Sequence, residues 1–423
     1  MIPGRRGPAA FQGENKVNST RVKFVVAAFM LVFGLLPAMG CSAPERLPAV
    51  PQALQAQAEV PGLPGVRYRA GTLDRLRQDA FDSLAHERAA LEAQGHTGPL
   101  PPVAFLAISG GGDNGAFGAG LLNGWTAAGN RPNFKMVTGI STGALIAPFA
   151  FLGSTYDAKL KSLYTGVSPK DILEKRNMLA ALMNDAMADN RPLWRQLEAN
   201  VNREMLDQIA AEHRKGRILI IGTTDLDARQ GVLWNMTKIA SHPEPAALDL
   251  FRKIMIASAA IPGAFPPSML DVEVGGKRYQ EMHVDGGATV QVFAYPPSFK
   301  LGELAKAGGF ERTRDLYIIR NSRLDPEWAD TERRTLTIAG RAISSLIHNQ
   351  GIGDLYRIYS TALRDGVAFH LARIPDTFNA AHTEEFDTAY MRALYDEAYS
   401  MASQGYPWET TPPGLDTAES ESR

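Results

Sequence analysis

The chain has 423 residues, with 45% hydrophobic, 21% charged and 8% aromatic side chains. That is globular composition, and it excludes a disordered, collagen-like or multi-span membrane protein. Forty-four Lys and Arg against 45 Asp and Glu leave a formal charge of −1 with no basic tract, which argues against nucleic acid as a partner, and the single cysteine, Cys41, excludes a disulfide framework or a cysteine-based metal cluster.

In chain order, Arg21 and Lys23 precede an apolar run from Phe24 to Leu36, which Pro37 ends. Its 13 residues fall short of the roughly 20 that a spanning helix needs, and suit a signal peptide's apolar core. Small residues lead into Cys41, and the segment resembles the signal of bacterial lipoproteins, with Ala38 where those usually carry Leu. The resemblance implies cleavage after Gly40, lipidation of Cys41 and a place in the bacterial cell envelope. Ser42 follows, with no Asp to suggest inner-membrane retention, so the resemblance favours the outer membrane, with a periplasmic or secreted form as the alternative. Removal of 1–40 takes away five basic residues and one acid, so the charge goes from −1 to −5.

Residues 41–72 are rich in Pro, Ala, Gln and Gly and read as a tether with little structure. Leu73 to Glu92 carries apolar residues at a helical rhythm (73, 76, 80, 81, 84, 91). Val103 to Ser109 predicts a buried strand, Gly115 to Ala128 a helix and Lys135 to Ile140 a second strand. A further helix follows Ser141. This alternation is the grammar of a parallel sheet covered by helices. Residues 157–215 read as mainly helical, Arg217 to Thr223 as the strongest strand, and Val232 to Met236 as a neighbour of it. A helix from Ala246 to Ala259 stops at Ile261-Pro262-Gly263. Strands follow at Tyr279 to Val284 and Leu316 to Arg320. The rest predicts a catalytic domain over 73–405, with a core at 103–320 and a helical part at 331–405, then a loose tail at 406–423.

Two glycine-rich turns carry chemistry. Gly110, Gly112 and Gly115 have the G-x-G-x-x-G spacing of a dinucleotide loop, but no acid stands at the end of the second strand to hold a ribose. Gly139-Ile140-Ser141-Thr142-Gly143 is G-x-S-x-G between a strand and a helix, a turn that pushes the serine out of the backbone. The helix start behind Ser141 favours developing negative charge. Gly110, Gly111 and Gly112 offer backbone N–H groups to a carbonyl oxygen that becomes an oxyanion.

For the base, Asp285 followed by His348, His370 or His382 fits the Ser-acid-His order of a triad, although none of these histidines has a glycine-flanked strand-end setting. Asp285 ends a strand before Gly286 and Gly287. His283 shares its strand face and is a candidate to orient it, with ordinary strand packing as the alternative. Asp225 and Asp227 resemble a metal pair without a third ligand. Met178, Leu179, Leu182, Met183 and Ala186 form an apolar helical stripe that suits an acyl groove or core packing.

The segments 110–115, 139–143 and 285–287, together with Ile221 to Asp227 and Ala257 to Pro267, resemble the patatin-like phospholipases. The resemblance covers roughly 103–320. It implies an α/β fold, a three-layer α/β/α arrangement with a mainly parallel central sheet, and hydrolysis of lipid acyl esters without a cofactor or metal. Carried over, Ser141 is the nucleophile, Asp285 the base without histidine, and Gly110, Gly111 and Gly112 form the oxyanion loop. Asn114, Gly115, Gly139, Gly143, Gly286 and Gly287 support these motifs. Where the family often has Lys or Arg, this chain has Asn114 after Asp113, which removes a fixed charge beside the oxyanion. A carboxylesterase with a true triad and an inactive lipid-binding relative are the alternatives. A lipid substrate and a membrane surface are the expected partners.

Overall fold

A computed structural model describes residues 44–69, 72–176, 185–325, 328 and 330–415. Residues 46–415 belong to one compact unit. The signal segment, Cys41, and Met178, Leu179, Leu182 and Met183 lie outside the described residues. No helix among the described residues is long and apolar enough to cross a membrane.

The strands are β1 (Arg67–Tyr68), β2 (Val103–Ile108), β3 (Met136–Gly139), a small pair β4 (Glu174–Lys175) and β5 (Ala188–Asp189), β6 (Ile218–Asp225), β7 (Gln230–Asn235), β8 (Ser268–Val274), β9 (Lys277–Asp285), β10 (Arg314–Arg320) and β11 (Ala368–Arg373). The main sheet runs β1-β7-β6-β3-β2-β10-β11, with β9 also on β6 and β8 on β9. From β6 through β3, β2 and β10 to β11 every pairing is parallel. β1, β7, β8 and β9 pair antiparallel.

The main helices are α1 (Leu73–Ala93), α2 (Gly115–Ala127), α3 (Thr142–Leu152), α4 (Asp157–Thr165), α5 (Arg191–Asn200), α6 (Arg203–Arg214), α7 (Pro245–Ser258), α8 (Thr335–Asp365) and α9 (Thr388–Ser403). The strand period of two decides which helix covers which face. Leu106 and Ile108 of β2 pack in one core with Phe117 of α2, Ile146 of α3, Ile254 of α7 and Leu394 of α9. Phe105 and Ala107 point the other way, onto Leu355 and Ile358 of α8. Leu76 of α1 packs on Ile218 and Ile220 on that second side. Every residue of β2 and β6 is buried, as expected for parallel strands covered on both faces.

Three expectations need correction. The tether reading fails over 46–69: Val60, Leu63 and Val66 are buried, β1 pairs with β7, and Arg67 and Arg69 bond Glu281. Its Pro and Gly content describes turns on a packed surface. The tail is not loose over 406–415: the Glu409 backbone pairs with Leu371, and Trp408 packs edge-on or tilted among Trp125, Tyr317 and Tyr406. The part after 331 is not only helical, because β11 extends the sheet beside β10.

Candidate active site

The register of β6 brings the two catalytic candidates together. Gly139 of β3 pairs with Ile221, and Asp285 of β9 pairs with Thr223, two residues further along β6. Ser141 lies two residues beyond Gly139, so β9 arrives on the edge of β6 where β3 turns away. The turn is tight. A Cβ on Gly139 would lie 2.4 Å from the Gly143 carbonyl, and one on Gly143 would lie 2.3 Å from the Ile108 carbonyl. Ser141 itself has φ 54° and ψ −124°, a sparsely populated conformation for a residue with a side chain, held at the start of α3. Its N–H donates to Ser258 Oγ at 3.0 Å, and Ser258 Oγ donates to the Gly222 carbonyl at 2.7 Å. Ser258 is fully buried at the end of α7.

Asp285 is 5% exposed. Its Oδ1 accepts the Gly287 N–H at 2.7 Å, and its own N–H donates to the Ala260 carbonyl at 2.9 Å. Gly286 lies against the Gly222 carbonyl and Ile140. Burial pushes the Asp285 carboxyl up to about 7, against the pull of a hydrogen bond from Ser141 and of the Gly287 N–H.

The glycine loop differs from expectation at one position. The Gly110 N–H donates to the Gln291 carbonyl at 3.1 Å, so it is not a free oxyanion donor. The N–H groups of Gly111 and Gly112 find no acceptor among the described residues, and Gly112 lines the same pocket as Ser141. The loop is fixed by Asn321, at the end of β10 and fully buried. Asn321 donates from N to Ser109 Oγ (2.8 Å) and from Nδ2 to Ser109 O (3.0 Å), and its Oδ1 accepts the Gly118 N–H (3.0 Å). Gly111 passes so close that a Cβ there would lie 2.1 Å from the Asn321 carbonyl.

Asp113 and Asn114 bind the C-terminal part. Asp113 Oδ2 lies 2.7 Å from His382 Nε2 and accepts the Phe386 N–H at 2.8 Å, while Asn114 Oδ1 accepts from Tyr390 Oη at 2.6 Å. Gly115 opens α2 against Thr142 and Tyr164.

The remaining histidines and acids have other partners. His283 is fully buried between Thr223 Oγ1 (2.8 Å) and Glu281 Oε2 (3.1 Å). His370 meets Asp315, and His348 contributes its carbonyl to Arg320. Asp227 pairs with Arg46. Asp225, Glu281 and His283 bring ligand atoms within 4.8 Å of one another, the third ligands that sequence spacing missed. Arg67 and Arg69 already supply the positive charge there: Arg67 lies 2.6 Å and Arg69 2.9 Å from Glu281, and Arg69 lies 3.5 Å from Asp225. The arrangement is a buried ion network rather than a cradle for a cation.

An apolar pocket of about 790 Å³, part of it open to solvent, lies at Ser141 and Gly112. Leu145, Leu163, Ile172, Leu193, Phe386 and Met391 line it, drawn from both the nucleophile region and the C-terminal part. Ala186, the described member of the predicted stripe, is buried but is not in this wall. Sequence reasoning did not single out Ser258, Gln291 or Asn321. Asn321 was within reach as the polar residue directly after a strand that ends at the site.

Residues 106–294 match the family model described as patatin-like phospholipase. Among solved structures, the chain is similar to VipD from Legionella pneumophila, with 10% identity, 72% of this chain and 67% of that chain covered, and a TM-score of 0.35. Curated proteins give no match. The mostly parallel mixed sheet with helices on both faces is an α/β fold, and the segment that matches the patatin-like model contains Ser141, Asp285 and the glycine loop.

Proposed function

We propose that the chain is a serine hydrolase of lipid acyl esters working through a Ser141–Asp285 dyad. The observation that carries this reading is a strained, buried serine beside a buried carboxylate at the mouth of an apolar pocket. Asp285 takes the Ser141 proton as the hydroxyl attacks the ester carbonyl. The carbonyl oxygen gains negative charge and is met by the N–H groups of Gly111 and Gly112. Collapse expels the alcohol, which leaves with the proton from Asp285. Water then repeats the sequence on the acyl-serine and releases the fatty acid. The acyl chain occupies the pocket beside Leu145 and Phe386.

The side-chain partners of His283, His370 and His382 support a dyad over a triad. The Asn114–Tyr390 bond supports hydrolysis without a fixed cation at the oxyanion. Lipidation of Cys41 would hold the enzyme at the envelope membrane, beside its substrate. Cys41→Ser should release the protein from the membrane fraction.

A fluorophosphonate probe should label the parent chain and not Ser141→Ala. Phospholipids and p-nitrophenyl esters of increasing chain length should be cleaved, with kcat/KM rising with chain length in the parent and less so in Leu145→Trp. Labelling that survives Ser141→Ala, or cleavage indifferent to chain length in both proteins, would sink this assignment.

A further inference from the structure

The opposite face of the sheet carries a second apolar pocket that the hydrolase reading does not use. It encloses about 980 Å³, part of it open to solvent, between α1 and the sheet. Leu76 and Phe81 of α1, Phe105, Ile220, Phe293 and Phe299 form its walls. Arg314 opens β10, whereas Asn321 follows the other end of that strand. A strand of seven residues spans roughly 20 Å, so the pocket is remote from Ser141.

Its lining carries unbalanced positive charge. Lys135 and Arg312 both pair with one carboxylate, Glu87, at 2.8 and 2.6 Å. Arg314 is 7% exposed, yet no carboxylate among the described residues lies within 4.0 Å of it. Its hydrogen bond runs from Nη2 to the Phe310 carbonyl, at a long 3.3 Å. The Tyr295 hydroxyl on the same lining is buried and faces Asp365, so it does not balance the charge of Arg314. Asp365 also accepts from Arg364 through both oxygens, at 2.7 and 3.0 Å. A buried guanidinium with no carboxylate in contact is costly, and an anion that brings apolar surface with it would offset that cost. Burial and the neighbouring Arg312 pull the Arg314 pKa down, and the more distant Glu311 and Asp365 offset this only in part.

We propose that this pocket binds a long-chain fatty acid, with the chain between α1 and the sheet and the carboxylate on Arg314. The planar guanidinium suits a carboxylate through two parallel bonds. The lining of this pocket shares no residue with that of the Ser141 pocket, so a chain held here leaves the catalytic site free.

The test uses the full chain carrying Ser141→Ala, so binding is read without turnover and separately from hydrolysis. A diazirine palmitate probe is photolysed on it and the labelled peptides are mapped by mass spectrometry. Label is expected in 73–93 and 293–310, in addition to any in the Ser141 pocket, and Ala80→Trp should remove it from the first set alone. Calorimetry with palmitate should show Kd for this site weakened about tenfold or more by Arg314→Gln, with partial recovery in Arg314→Lys. Hexadecanol should be insensitive to both changes. Hydrolysis of short esters by an Arg314→Gln chain that retains Ser141 should be unchanged. Label confined to the Ser141 pocket, palmitate affinity indifferent to Arg314→Gln in folded protein, or tighter binding of hexadecyl phosphate than of palmitate would overturn the proposal. Should Arg314→Gln not fold, Ala80→Trp alone decides it through the label.

Discussion

Ser258 Oγ accepts the backbone N–H of Ser141 and donates to the Gly222 carbonyl, so one buried hydroxyl ties the nucleophile turn to β6. Ser258→Ala leaves both backbone groups without a partner, at about 1–3 kcal/mol each. The strained φ of Ser141 then loses a restraint. A fall in kcat of about tenfold or more with KM little changed is expected from steady-state kinetics on a phospholipid, with a lower Tm. An unchanged kcat would show that α3 alone holds the turn.

Asp285 titrates near 7 because it is buried, and it must be ionised to take the Ser141 proton. The pH profile of kcat/KM should therefore rise with pH to a half-maximum near 7, falling about tenfold per unit below it. The folded state holds this proton more tightly than the unfolded chain, where the pKa is about 3.9. The fold thus loses stability as pH rises between about 3.9 and about 7, and the loss is complete above 7. Asp285→Asn should abolish hydrolysis while raising Tm at pH 8 by at least a few degrees, and should change Tm little at pH 4. Equal Tm differences at the two pH values would contradict the shifted pKa.

Gly111 and Gly112 should respond differently to alanine. At Gly111, with φ 154°, the methyl group strikes the Asn321 carbonyl and displaces the loop. At Gly112 nothing lies within 4 Å, so only the φ of 58° opposes it, at about 1–2 kcal/mol. Gly111→Ala should lower kcat by about 10²–10³, the loss typical of one oxyanion donor, and Gly112→Asn, which tolerates that φ, should retain most activity. Undiminished kcat in Gly111→Ala would place the donors elsewhere.

The buried pairing of Arg67 and Arg69 with Glu281 makes the N-terminal segment part of the fold. Burial alone would raise the Glu281 pKa, but the His283 bond and the two arginines bring it down to about 2. Its contribution is complete above about 4.5 and is lost as pH falls through about 2. Glu281→Gln strands two buried cations and should cost about 3–5 kcal/mol at pH 7 by chemical denaturation, with a smaller difference from the parent at pH 3. A loss below 1 kcal/mol at pH 7 would mean that the apolar contacts of Val60, Leu63 and Val66 suffice.

Local signals in the sequence were enough for the strand-turn-helix around Ser141 and for the glycine-flanked end of β9, because tight turns demand particular residues. The oxyanion loop was visible as glycines, but the engagement of the Gly110 N–H depends on Gln291, 181 residues away, and has no local mark. The short strand β1 and the polar ties of Asn321 were equally silent, since their partners are set by the sheet. Composition misled at 46–69, where Pro and Gly suggest looseness and long-range ion pairs oppose it. The edge strand β11 alternates only weakly, and its six residues between two clear helices carry little strand signal.

The wall of the Ser141 pocket is assembled from distant parts of the chain, with Phe386 and Met391 closing a surface begun by Leu145. Met391 follows Ser141 by 250 residues. At ribosomal speeds of about 5–20 residues per second, that interval lasts roughly 12–50 s. During it, a nascent chain can form the nucleophile turn but has no roof over the apolar floor beside it. Competence to hold an acyl chain therefore arrives with the last helix. A ribosome stalled before that helix would release a sticky, open half-site rather than a slow enzyme.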